Sequence, residues 1–123
     1  MSTFAYYNAN TLGIEEEDCV IRAIKLATNL SYVAVSRLLD MSSVYYDCDK
    51  LNCGCYGRLL SDIFNYPVRY CNYKETVADI INKFPLNTLI IRIDNHLTAS
   101  VAGLLMDIAD CSNELVDKYW IVA

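Results

Sequence analysis

The stretch Thr88-Leu89-Ile90-Ile91-Arg92-Ile93-Asp94-Asn95-His96-Leu97-Thr98-Ala99-Ser100-Val101-Ala102-Gly103-Leu104-Leu105-Met106-Asp107-Ile108 decides the reading of the fold. Upstream of it, apolar residues recur at helical spacing. Within it they come as short runs with strand character. It predicts three strands, at 88–93, 96–101 and 104–108, with Ala102-Gly103 as a tight turn between the second and third. Tyr119-Trp120-Ile121-Val122 reads as a last strand.

Upstream, Pro85 ends a helix over 77–84 that Thr76 caps. A helix near 55–66 carries Leu59, Leu60, Ile63 and Phe64 as its stripe, and Pro67 to Cys71 reads as a short edge strand. Ser31 caps a helix from Tyr32 to about Met41, with Val35, Leu38 and Leu39 inward. Asp18 is the expected N-cap of a first helix that carries Val20, Ile21, Ile24 and Ala27 on one face. Residues 4–17 read as extended or irregular, and 42–54 as loop. Helices first and an antiparallel meander after them predict an α+β domain, with the N-terminal helices packed on one face of a C-terminal antiparallel sheet.

A length of 123 residues suits one domain, 1–123, around one core. The apolar content of 54% is too high for disorder. No apolar run approaches the roughly 18 residues of a membrane span. The net charge is −5 and the ten Lys and Arg residues are scattered, so neither nucleic acid nor an anionic membrane is an expected partner. The N-terminus, Met1 to Tyr7, lacks the pattern of a signal peptide, which predicts a cytoplasmic protein. The six cysteines, at 19, 48, 53, 55, 71 and 111, are then expected as reduced thiols. The spacing of Cys48, Cys53 and Cys55 does not match the paired motifs of structural zinc sites, so neither metal nor cofactor is expected.

The one histidine, His96, opens a strand, and Cys19 lies at the expected start of a helix. A helix N-terminus and a nearby imidazolium both lower a thiol pKa, so Cys19 has the setting of a nucleophile. The bland reading makes Cys19 a small buried hydrophobe and His96 a strand-end residue. The acidic run Glu15-Glu16-Glu17-Asp18 opposes a thiolate unless it faces away. Strand parity separates the two aspartates downstream. If Ala102-Gly103 closes a two-residue hairpin, Val101 pairs with Leu104 and His96 opposes Ala109. Asp107 then shares a face with His96, and Asp110 falls on the other and is held in reserve.

The elements Tyr6-Tyr7-Asn8, Asp18-Cys19-Val20-Ile21-Arg22-Ala23, Thr76-Val77-Ala78-Asp79, His96 to Gly103, Asp107-Ile108-Ala109-Asp110-Cys111-Ser112 and Tyr119-Trp120 occur in one order. Together they resemble a family of small papain-like proteins encoded by phages and bacteria. The resemblance spans nearly the whole chain. It implies a papain-like cysteine-peptidase fold with Cys19, His96 and an aspartate at the site. The family's D-T-W-D element lacks its tryptophan here, and residues 42–73 depart from the pattern.

The expected activity is that of a thiol hydrolase or transferase acting on a peptide, a protein or a small amide. Cys19 attacks, His96 moves the proton, and Asp107 orients the ring. The Cys19 N–H and an amide from Asn8 or Asn10 would receive the oxyanion. The alternatives are an inactive phage-encoded protein that inhibits or sequesters a host protein in the host cytoplasm, and a phage structural or assembly protein.

Overall fold

A computed structural model describes residues 4–9 and 18–123. The elements run β1 (Phe4–Tyr6), α1 (Cys19–Thr28), α2 (Tyr32–Tyr46), α3 (Cys53–Arg58, continued by a π-helical turn, Leu59–Ile63), β2 (Val68–Tyr70), α4 (Val77–Lys83), β3 (Thr88–Ile93), β4 (His96–Val101), β5 (Leu104–Asp107) and β6 (Val116–Ile121). The architecture is α+β, with a six-stranded sheet in the order β1-β5-β4-β3-β6-β2.

The sheet is mixed, which corrects the expected antiparallel meander. β3, β4 and β5 are successive hairpins. β6 does not extend them; it returns to pair with the free side of β3. β1 pairs parallel to β5, inside a segment read from sequence as extended or irregular. The segment after β5 reaches β6 by crossing the start of α4, where Ala78 N donates to the Ser112 carbonyl at 2.9 Å and Val77 N to that of Glu114 at 3.0 Å.

The helices do not share one face. Ile90, Leu97, Ala99 and Trp120 pack against α1, α2 and α3. Leu89, Ile91, Ile93, Val116 and Tyr119 pack on the opposite side with Val77, Ile80 and Ile81 of α4. Alternate residues of β3 therefore serve two cores, which explains why its sequence is apolar almost throughout. Each buried Leu or Ile contributes about 1.5–3 kcal/mol through loss of apolar surface to water.

Local signals set most helix ends. Ser31 Oγ accepts from Ala34 N at 3.1 Å. Thr76 and Asp79 form a reciprocal capping box. Asn52 Oδ1 accepts from Gly54 N at 3.0 Å and starts α3 two residues before the expected position. α2 continues past Met41 to Tyr46, because Ser42 is buried and its hydroxyl donates to the Cys55 carbonyl at 3.3 Å. Asp18 precedes α1 but makes no side-chain cap; its carboxylate is drawn to Arg22 and to the Tyr32 hydroxyl instead.

Ala102 and Gly103 both take positive φ, 50° and 81°, in the two-residue turn joining β4 to β5. A Cβ on Gly103 would lie 2.8 Å from the Pro85 carbonyl oxygen, so glycine is required there twice over.

The expectation of six reduced thiols is also corrected. Cys48 and Cys55 form a disulfide with a Cα–Cα separation of 5.6 Å. It ties the end of α2 to α3, so that Cys55 is buried. Cys53 faces a cleft and Cys71 sits in the core beside α4, so the four mid-chain thiols do not converge on one point.

Candidate active site

Cys19 is the first residue of α1, and α1 packs along β4. The N–H groups of Cys19, Val20 and Ile21 have no acceptor one turn earlier within the helix, so this end carries partial positive charge. His96 and the Leu97 backbone, both on β4, lie close enough to the thiol to act on its ionisation, and all three residues line one cleft.

The predicted register holds where it matters. Val101 pairs with Leu104 and Ser100 with Leu105. Continuing that count places Asp107 opposite Thr98, and the Thr98 hydroxyl donates to Asp107 Oδ2 at 2.7 Å. The same oxygen lies 2.6 Å from His96 Nε2. Asp107 Oδ1 accepts from the Ile108 N–H at 2.7 Å, and Arg22 Nη2 stands 3.9 Å away. The carboxylate is 5% exposed, and each of its oxygens is met by a donor. Since Nε2 belongs to Asp107, Nδ1 is the ring nitrogen that serves Cys19.

β5 ends at Asp107, so the expected pairing of His96 with Ala109 does not form; Ala109 lines the cleft instead. Asp110 is exposed, and its Oδ1 accepts from Ser112 N at 3.0 Å in a local turn. It takes no part in the site, contrary to its reserve role. Asn8 lies two residues past β1 and is exposed. Its neighbours Tyr7 and Ala9 border, with Cys19, Thr98 and Asp107, a cavity of about 10 Å³ beside the thiol. That volume is at the lower limit for one water. Asn10 and Glu15 to Glu17 lie outside the described residues.

The electrostatics separate the groups. Burial pushes the Cys19 thiol up, but the His96 hydrogen bond, the Leu97 backbone and the charges of His96 and Arg22 outweigh it and hold the thiol below its ordinary value. The hydrogen bond to Asp107, followed by the one to Cys19, raises His96 to about 9. For Asp107, burial acts upward, yet hydrogen bonds from His96 and Thr98 leave it below the usual carboxylate range. The arrangement favours a thiolate–imidazolium pair braced by a carboxylate. Asp18, the one member of the acidic run among the described residues, is 1% exposed and held by Arg22 and Tyr32.

His96, Asp107 and Cys111 bring their donor atoms within 4.8 Å of one another and could hold a metal ion. Two ligands of one tetrahedral zinc sit roughly 3.3 Å apart. The 2.6 Å contact between His96 and Asp107 would have to open first.

The site opens into a cleft of about 780 Å³, whose far side is built by Cys53, Tyr56 and Arg92. Sequence reasoning did not single out Arg22, Thr98, Tyr56 or Arg92. Only Arg22 carried a local signal, its i, i+4 spacing from Asp18. Among the described residues, no single helix is long and apolar enough to cross a membrane. Comparison with family models, curated proteins and solved structures gives no match.

Proposed function

We propose that this protein is a papain-like thiol hydrolase or transferase acting on a peptide, a protein or a small amide. One observation carries the reading: the single histidine has Asp107 on Nε2 and shares a cleft with the Cys19 thiol, which lies at a helix start close enough to act on the ring electrostatically. In the reaction the Cys19 thiolate adds to the substrate carbonyl carbon. His96 Nδ1–H gives its proton to the leaving amine as the C–N bond breaks. Water, or an acceptor amine, then attacks the thioester, losing its proton to His96 and restoring the thiol pair. The Cys19 N–H, at the start of α1, is suited to receive the oxyanion.

The proposal keeps the cytoplasmic setting read from the sequence. The Cys48–Cys55 bridge is at odds with it, because disulfides are rare there.

A second reading, an inactive protein that binds and blocks a host protein, has one observation in its favour. Met41, Val44 and Tyr45 form a stripe on α2 that is 66%, 85% and 81% exposed. An electrophilic thiol probe separates the two readings. Rapid labelling at Cys19, abolished in His96→Ala, supports the enzyme. Labelling of Cys19 no faster than of Cys53 supports the binder.

A further inference from the structure

The wall of the cleft facing Cys19 carries polar chemistry that the proposed reaction leaves unused. Arg92 pairs with Leu97 across the β3–β4 ladder, and Leu97 and Cys19 line the same cleft as Arg92. Paired strand residues place their Cβ atoms about 4.5–5.5 Å apart. The arginine stem therefore rises one strand away from the nucleophile. Its side chain is 26% exposed. Asp117, on β6, holds Nη1, while Tyr56 and Cys53 stand near the guanidinium along the same cleft. A guanidinium has five N–H donors, and these partners leave some of them for another acceptor.

Charge points the same way. The chain carries −5 overall, yet Arg22, Arg92 and His96 all line this cleft. Among the described residues lining it, the one carboxylate is Asp18, which is buried and already held by Arg22 and Tyr32. A guanidinium fixed from behind by one carboxylate and presented to a cleft is preorganised for a second.

We propose that Arg92 forms a carboxylate subsite, so that the substrate is an amide bearing a carboxylate close to its scissile carbonyl. This deepens the thiol-hydrolase reading and rests on it. Arg92 acts as a specificity residue, and Asp117 positions it.

The test uses the full chain and two small alkylating agents, iodoacetate and neutral iodoacetamide, with labelling at Cys19 and Cys53 read separately by mass spectrometry. The ratio of the two rates at Cys19 is compared with that of N-acetylcysteine. The subsite predicts a ratio raised on the order of tenfold in wild type. Arg92→Gln lowers it several-fold, to the preference that His96 and Arg22 alone would give, while leaving the iodoacetamide rate nearly unchanged, and Arg92→Lys retains most of the wild-type preference. A purely structural Arg92–Asp117 pair would not move this ratio. A reference-like wild-type ratio overturns the subsite even if a variant does not fold. Slow reaction of Cys19 with iodoacetamide in wild type overturns the thiol-hydrolase reading itself. Fast reaction with a reference-like ratio, or a ratio unchanged in Arg92→Gln, overturns the subsite alone. Protection of Cys19 from iodoacetamide by N-acetylglutamine, with its free terminal carboxylate, is then set against protection by N-acetylglutamate α-amide, with its free side-chain carboxylate. The stronger protector names the source of the anion. Protection by neither, or equal protection of Arg92→Gln, overturns the subsite.

Discussion

Cys19 and Cys111 lie on two sides of the same His96–Asp107 pair and have opposite chemistry. Cys19, half-buried at a helix start, meets the imidazole and is held below its ordinary pKa. Cys111 is buried near Asp107, and burial is the main cause that pushes it up to about 11. The residue type is the same, and Cys111 is the one whose sulfur lies within 4.8 Å of the carboxylate. At Cys19 the interactions with His96 and Arg22 outweigh burial, whereas at Cys111 burial, with the Asp107 charge adding to it, wins.

The largest expected effect is in reactivity. At pH 7 a thiol with a pKa of about 11 is thiolate in roughly one molecule in 10,000, so Cys19, held below its ordinary value, should alkylate on the order of a hundredfold or more faster than Cys111. Site-resolved labelling measures this. Comparable rates at the two positions would break the contrast.

The pH dependence comes next. Acyl transfer needs the thiolate and the protonated imidazole together. Its rate should climb through the depressed Cys19 pKa and fall through about 9, the value held by His96. Stability has its own sign. His96 is raised in the fold, so its contribution is full below about pH 6.5 and fades as pH rises through about 9. Asp107 is lowered, so its contribution is present above about pH 4 and fades as pH falls through its depressed folded value. Urea unfolding at a series of pH values would show both slopes.

The hairpin that brings the pair together offers a smaller test. Gly103→Ala forces a Cβ against the Pro85 carbonyl at positive φ and should cost about 1–3 kcal/mol in urea unfolding. An unchanged stability would mean that the turn does not set the register. The smallest expected effect is a control: Asp110→Ala should leave Cys19 labelling unchanged, since that carboxylate only closes a local turn.

These residues also show what local pattern encodes. The turn at Ala102-Gly103 and strand alternation were enough to prefer Asp107 over Asp110, because a period of two is a local property. Cys19 and His96 stood out by chain order and by the starts of their elements. Other features had no local trace. β1 is three residues long, too short to show a period, and exists because β5 offers it an edge. α4 looks like any other amphipathic helix, and nothing in its own residues says which face of the sheet it covers. The Cys48–Cys55 bridge depends on α2 continuing to Tyr46, which Ser42 secures through a contact 13 residues away. Arg92 reads as one polar residue in an apolar strand until β6 and α3 close around it.

The central claim is that Asp107 and Cys19 together hold His96 as an imidazolium at neutral pH. His96 is the one histidine in the chain, so an NMR titration of its ring signals needs no assignment. The account predicts a midpoint of about 9 in wild type, falling toward the unperturbed value of about 6.5 in Asp107→Asn. A wild-type midpoint of about 6.5, unmoved by Asp107→Asn, would contradict it.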